Sequence, residues 1–135
     1  MDDAQFTVVV TAGSLRPSHD VGVVVMPHRW TPDGVVVQAD FTGGHLYHLA
    51  AAGCVLNDLY REAAQVGIDL DGLRVRAYGG FDKATWTSTG ITYEVDVAAD
   101  VPDDDIERLV RVVDDVAEIP RALRSGTTVS RHAAH

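Results

Sequence analysis

The hydrophobic period changes at about residue 44, and that change limits what this chain can fold into more than anything else in it. From Gly44 to about Val66 the residues Leu46, Leu49, Gly53, Leu56 and Tyr60 recur at steps of three and four. That spacing places them on one face of an α-helix. Asp58, Arg61, Glu62 and Gln65 give the second half a wetter side, while the first half, "HLYHLAAAGC", is nearly apolar. Gly67 supplies a stop and "DLDG" at 69–72 turns the chain, as expected at a helix C-terminus. A helix this long and this apolar gains its stability by lying on a second apolar layer.

The flanking segments offer that layer. "QFTVVVTA" (5–12), "VGVVVM" (21–26) and "GVVVQA" (34–39) are runs rich in β-branched residues between clusters of Gly, Pro, Ser and Asp, the pattern of short strands joined by turns. "LRVRAY" (73–78) and "ITYEVDVA" (91–98) alternate apolar and polar residues, so each is expected to bury one face and to pair through the intervening 79–90 as a hairpin. "VPDDDIERLVRVVDDVAEIP" (101–120) opens with Pro102 and an acidic turn, which suits a helix start. Its apolar face comprises Ile106, Leu109, Val110, Val113 and Val116 or Ala117, and Pro120 ends or kinks it. "TTVS" (127–130) reads as a last short strand. The order predicts an α+β fold in which a curved, mainly antiparallel sheet packs against a long central helix.

The 135 residues suit one domain spanning 1–135. Eleven Lys and Arg against twenty Asp and Glu give a formal charge of −9 without a basic block, which excludes a nonspecific nucleic-acid binder. There is neither an apolar run of about twenty residues nor a basic, apolar leader, so the expectation is a cytoplasmic protein with no membrane partner. One cysteine, Cys54, rules out an intrachain disulfide and fits a reducing compartment.

Cys54 sits inside the long helix, on a side shared with Tyr47, Ala50, Asp58 and Arg61. Arg61 would favour a thiolate and Asp58 would oppose it. Nucleophile and small packing residue both remain open readings. His45 and His48 point away from Cys54 on the helical wheel and His19 and His28 lie in or near loops; no converging set of three or four ligands is evident, so no metal or cofactor is expected. Tyr47, His48, Asp58, Arg61 and Trp30 are the candidate pocket residues, with Trp86 as a further aromatic. "TGGH" and "GGFDK" lack the spacing of a phosphate loop.

The segment "GGHLYHLAAAGCVLNDLYREAAQVGI", the strand pair after it, the Pro-led helix and "VAEIPRALRSG" together resemble the OsmC/Ohr family from about Asp40 to Val129. The resemblance implies an OsmC-like fold, a homodimer, and thiol-dependent reduction of organic hydroperoxides. On it, Cys54 takes the position of the attacking thiol, which would form a sulfenic acid. Ala117 falls where the family has its resolving Cys, Glu118 where a Pro follows it, and Gly44 where a Glu holds an Arg over the thiolate. Arg16, in "GSLRPS", loosely resembles that Arg. Turnover would then need an external thiol reductant. The rival expectation is a noncatalytic OsmC-like dimer that binds an apolar small molecule.

Overall fold

The computed structural model describes residues 5–18 and 23–132; His19 lies outside them. The elements in order are β1 (Phe6–Gly13), β2 (Val24–Met26), β3 (Val35–Gln38), α1 (Gly43–Gln65), β4 (Gly72–Phe81), β5 (Ser88–Ala98), α2 (Asp103–Val116) and α3 (Glu118–Ser125). The strands form one sheet in the order β2-β3-β1-β4-β5, with every adjacent pair antiparallel. This is the α+β arrangement the sequence predicts.

Alternation divides the sheet into two faces. Val8, Val10 and Ala12 of β1, Val35 and Val37 of β3, and Leu73, Val75 and Ala77 of β4 turn toward α1 and are buried with it. On the other face, Arg74 lies opposite Asp96 and Arg76 opposite Glu94, with side-chain separations of 3.4 and 3.6 Å. These exposed pairs reinforce the β4–β5 register while adding little to stability.

Thr42 caps α1 by accepting the His45 backbone N–H. At the other end the Ile68 N–H reaches back to the Ala63 carbonyl at 2.9 Å and Gly67 adopts φ +73°, a Schellman-type stop. The buried stripe of α1 runs through His48, Ala51, Ala52, Val55, Leu56, Leu59, Tyr60 and Ala63. It is rotated from the expected stripe: Leu46 is largely exposed and Gly53 only partly covered. The small side chains of Ala51 and Ala52 let the helix seat closely on the sheet, which moves Leu46 and Gly53 to its flank.

Two further expectations are corrected. The predicted helix over 101–120 is two helices, broken at Ala117, whose ψ of 125° is extended. Pro120 inside one continuous helix would clash with the Val116 carbonyl, whereas as the third residue of α3 it gives up an N–H that has no intrahelical acceptor. Residues 127–130 form no strand; they are exposed and offer no buried face to hold them on the sheet.

Gly79 brings β4, β5 and α1 together. A Cβ there would lie 2.1 Å from the Gly90 carbonyl oxygen and 2.7 Å from His48 Nε2. Gly79→Ala is therefore expected to destabilise the protein although it adds only a methyl. Leu59→Ala, in the middle of the buried stripe, is expected to cost about 2–5 kcal/mol. Urea unfolding of both variants checks these outcomes.

Candidate functional site around Cys54

The flank of α1 that faces α3 carries Tyr47, Ala51, Cys54, Asp58 and Arg61 at helical spacing. The break at Ala117 starts α3 beside this flank and brings Glu118 against it. Cys54 Sγ lies 3.7 Å from Asp58 Oδ2 and 3.5 Å from Glu118 Oε2. Arg61 spans the carboxylates, at 3.2 Å from Asp58, 3.2 Å from Glu62 and 3.1 Å from Glu118. One guanidinium thus serves three carboxylates.

Burial pushes the Cys54 thiol up to about 11, and the charges of Asp58 and Glu118 add to this against a lowering contribution from the Ile119 backbone N–H. Asp58, 1% exposed, has its carboxyl raised chiefly by burial, with Glu118 adding and the Asn57 amide and Arg61 opposing. Glu118 moves the other way, down to about 2. Its own backbone N–H at the start of α3 is the main cause, followed by hydrogen bonds from Asp58, Arg61 and Cys54. Where the two carboxyls compete for a proton, Asp58 therefore keeps it, because Glu118 is exposed and better supplied with donors. At neutral pH Cys54 is a thiol that donates toward carboxylates.

Ligand atoms of Cys54, Asp58 and Glu118 lie within 4.8 Å of one another, a spacing compatible with a cation. Arg61 bridges the two carboxylates and would compete with a cation for the same oxygens.

Of the sequence candidates, Cys54, Asp58 and Arg61 come together. Arg16 does not join them: it bonds the Asp33 carbonyl at 3.2 Å and lies 3.9 Å from the Asp33 carboxylate. Tyr47 lines a cavity of about 310 Å³ between α1, β5 and α3, together with Ile91, Tyr93, Pro120, Leu123 and Arg124. His48 is fully buried, giving Nδ1 to the Gly44 carbonyl at 2.7 Å and packing against Phe6, Tyr47 and Phe81. Trp30 packs against the core under the Arg29 guanidinium, away from that cavity. Trp86 is 69% exposed on the β4–β5 turn. Glu118 is the residue the sequence reading undervalued. Its signal was positional, since a residue next to the resolving position must come close to the attacking one.

Gly44 has no room for a side chain while Phe6 keeps its place. A Cβ there would lie 2.3 Å from the Phe6 ring, which also contacts His45 and Phe81. An acidic side chain at this position would have to displace Phe6. Ala117, at the resolving position, is completely buried.

A family model described as OsmC-like protein matches residues 37–131, more than half of the chain. The chain belongs to the OsmC family. A search of curated proteins gave no match. Among solved structures, an OsmC-like hydroperoxide resistance protein from Jannaschia sp. CCS1 is similar, with a TM-score of 0.53 at 11% identity over 96% of this chain and 93% of that one. At that identity the likeness speaks for the OsmC fold alone. Within the fold, this member has a single cysteine; the resemblance would put Ala117 and Glu118 in the second-cysteine region and Gly44 at the acidic position.

A rise from 9.0 to about 11 lowers the thiolate fraction about a hundredfold near neutral pH. Greater intrinsic nucleophilicity of the more basic thiolate restores about tenfold. Iodoacetamide should therefore alkylate native Cys54 roughly tenfold more slowly at pH 7.5 than the urea-unfolded chain. Glu118→Gln removes one anion from the sulfur and is expected to lower the thiol pKa and speed alkylation several-fold, as read from rate against pH.

Proposed function

We propose that this OsmC-family protein is a homodimeric binding protein for a small apolar molecule, held between α1, β5 and α3, and that Cys54 is not an efficient peroxidase thiol. The carrying observation is that Cys54 Sγ faces two carboxylates at 3.5 and 3.7 Å while the adjacent guanidinium is committed to those same groups. Attack on a peroxide requires a thiolate, and cations or amides must outweigh nearby anions to form one. Here the anions prevail. The cavity walls of Tyr47, Ala51, Ile91, Tyr93, Pro120 and Leu123 are largely apolar, with Ser88 and Arg124 as polar margins, a composition suited to a small apolar ligand. Cys54 is not among the lining residues.

The dimer reading draws on a second surface. Val24, Val25 and Met26 of edge strand β2 are all exposed, as are Phe41 and Leu46. Met26 and Leu46 also line a groove of about 340 Å³, with Pro27, Leu49, Ala50 and Gly53. An apolar strip of this kind along a free edge is costly to leave in water.

A one-cysteine peroxidase acting on organic hydroperoxides is the second reading, favoured by one observation: the Cys54 side chain is only partly buried, so a peroxide can reach it. In that case an external thiol would have to resolve the sulfenic acid.

Two measurements separate the readings. N-phenyl-1-naphthylamine should bind saturably to wild type and equally to Cys54→Ser, and at least tenfold more weakly to Leu123→Trp, which fills the cavity; equal binding by Leu123→Trp would move the ligand elsewhere. Intact mass after brief exposure to stoichiometric cumene hydroperoxide with dimedone should show little adduct at pH 7. Rapid, complete modification of Cys54 would establish the peroxidase reading instead.

A further inference from the structure

A chain of side-chain hydrogen bonds crosses α1 from the turn after β2 to the buried carboxylate. His28 Nδ1 meets Thr31 Oγ1 at 2.8 Å and His28 Nε2 meets Asn57 Oδ1 at 3.1 Å. The Asn57 amide then donates to Asp58 Oδ1 at 3.1 Å. The other Asp58 oxygen faces Arg61 and Cys54, and Arg61 continues to Glu118 at the start of α3. Asn57 and Asp58 are consecutive, so they project about 100° apart on the helix. Asn57 belongs to the flank facing β2 and Asp58 to the flank facing α3, and the pair joins the two sides.

We propose that His28 and Asn57 are positioning residues that hold the Asp58 carboxylate in its ionised form against Arg61, and thereby hold α3 on α1. The donor pattern allows one orientation. An ionised Asp58 only accepts, so the Asn57 amide end faces it and the Asn57 carbonyl end faces His28. His28 must then carry its hydrogen on Nε2. The Thr31 hydroxyl lies between His28 Nδ1 and the Gly34 carbonyl, 3.3 Å away, and donates to one of them. With neutral His28 it donates to Nδ1; with His28 charged, Nδ1 donates to Thr31 and the hydroxyl turns to Gly34. Nε2–H points at Asn57 in both cases. The relay therefore holds the same geometry whichever partner the Thr31 hydroxyl takes, which makes it a lock.

The groups facing Asp58 are Asn57, Arg61 and Cys54 from α1 and Glu118 from α3. Asn57 and Arg61 favour the ionised carboxylate, while burial and Glu118 do not. Loss of the Asn57 donor leaves a carboxylate that is 1% exposed with Arg61 and the weak thiol donor of Cys54 to stabilise it. Because α3 supplies Pro120, Leu123 and Arg124 to the cavity, looser docking of α3 also weakens ligand retention; this second consequence rests on the binding reading above.

The test is a carbonyl 13C NMR titration of the Asp58 carboxyl in full-length wild type, Asn57→Leu, His28→Leu and His28→Gln. Asn57→Leu should move the Asp58 midpoint up by about one pH unit. His28→Leu should move it up by less, and His28→Gln, whose amide can donate to Asn57, should return it toward wild type. An unchanged midpoint in folded His28→Leu and Asn57→Leu overturns the proposal; should Asn57→Leu not fold, His28→Leu against His28→Gln decides. N-phenyl-1-naphthylamine affinity in the same variants should fall in parallel. If the probe binds none of the proteins, wild type included, the binding reading fails while the titration still judges the relay.

Discussion

The seating of α1 on the face of β1 and β4 is the constraint from which the other features follow. Leu59, Val55 and Ala52 are essentially inaccessible against Val8, Val10, Leu73 and Val75, and this buried apolar area is the main source of stability available to the chain. Once that stripe is committed to the sheet, the helix has two flanks of fixed character. One presents Cys54, Asp58 and Arg61 to α3, and the other presents Leu46, Ala50, Gly53 and Asn57 to the side of β2. Rotation of the helix by one position would bury Cys54 and expose Leu59, so the apolar stripe determines where the thiol stands.

Electrostatics at that flank follows from a shortage of cations. Asp58, Glu62 and Glu118 share Arg61, and the sulfur lies on the anionic side of the arrangement. Glu118 is 63% exposed at its side chain, so solvent screens its charge, and its pair with Arg61 sets where α3 sits on α1 more than it stabilises the whole fold. Asp58 is different. A buried carboxylate needs donors at both oxygens, and Asn57 and Arg61 supply one each. The same arrangement that keeps Asp58 satisfied makes Cys54 a poor thiolate, and stability and sulfur reactivity are thereby opposed in this member of the OsmC family.

Packing bears on the two positions, 44 and 117, at which the resemblance implies an acid and a second thiol. Phe6 occupies the space that a side chain at position 44 would take, and its ring belongs to an aromatic group with His45, His48 and Phe81. Ala117 is buried at the helix break, where it allows α2 and α3 to meet. A Glu at position 44 would therefore have to displace Phe6, and a Cys at position 117 would occupy a buried site.

The sequence by itself determined the five strands of the sheet, the long helix, the hairpin and the single cysteine, because these rest on local periodicity and turn chemistry, while it also offered a strand at 127–130 that does not form. "LRVRAY" and "ITYEVDVA" paired as their alternation predicts, and Gly67 stops α1 as its residue type predicts. The resemblance carried by "AAGC" and the Pro-led helix led to the OsmC fold. Only the tertiary structure decided which face of α1 is buried, since small and large apolar residues surround the helix and closeness of approach selects among them. It likewise decided the state of Cys54. Asp58 and Arg61 are neighbours of Cys54 by helical geometry, but Glu118 is 64 residues away along the chain and reaches the sulfur only because Pro120 breaks the helix at Ala117 and turns α3 back onto α1.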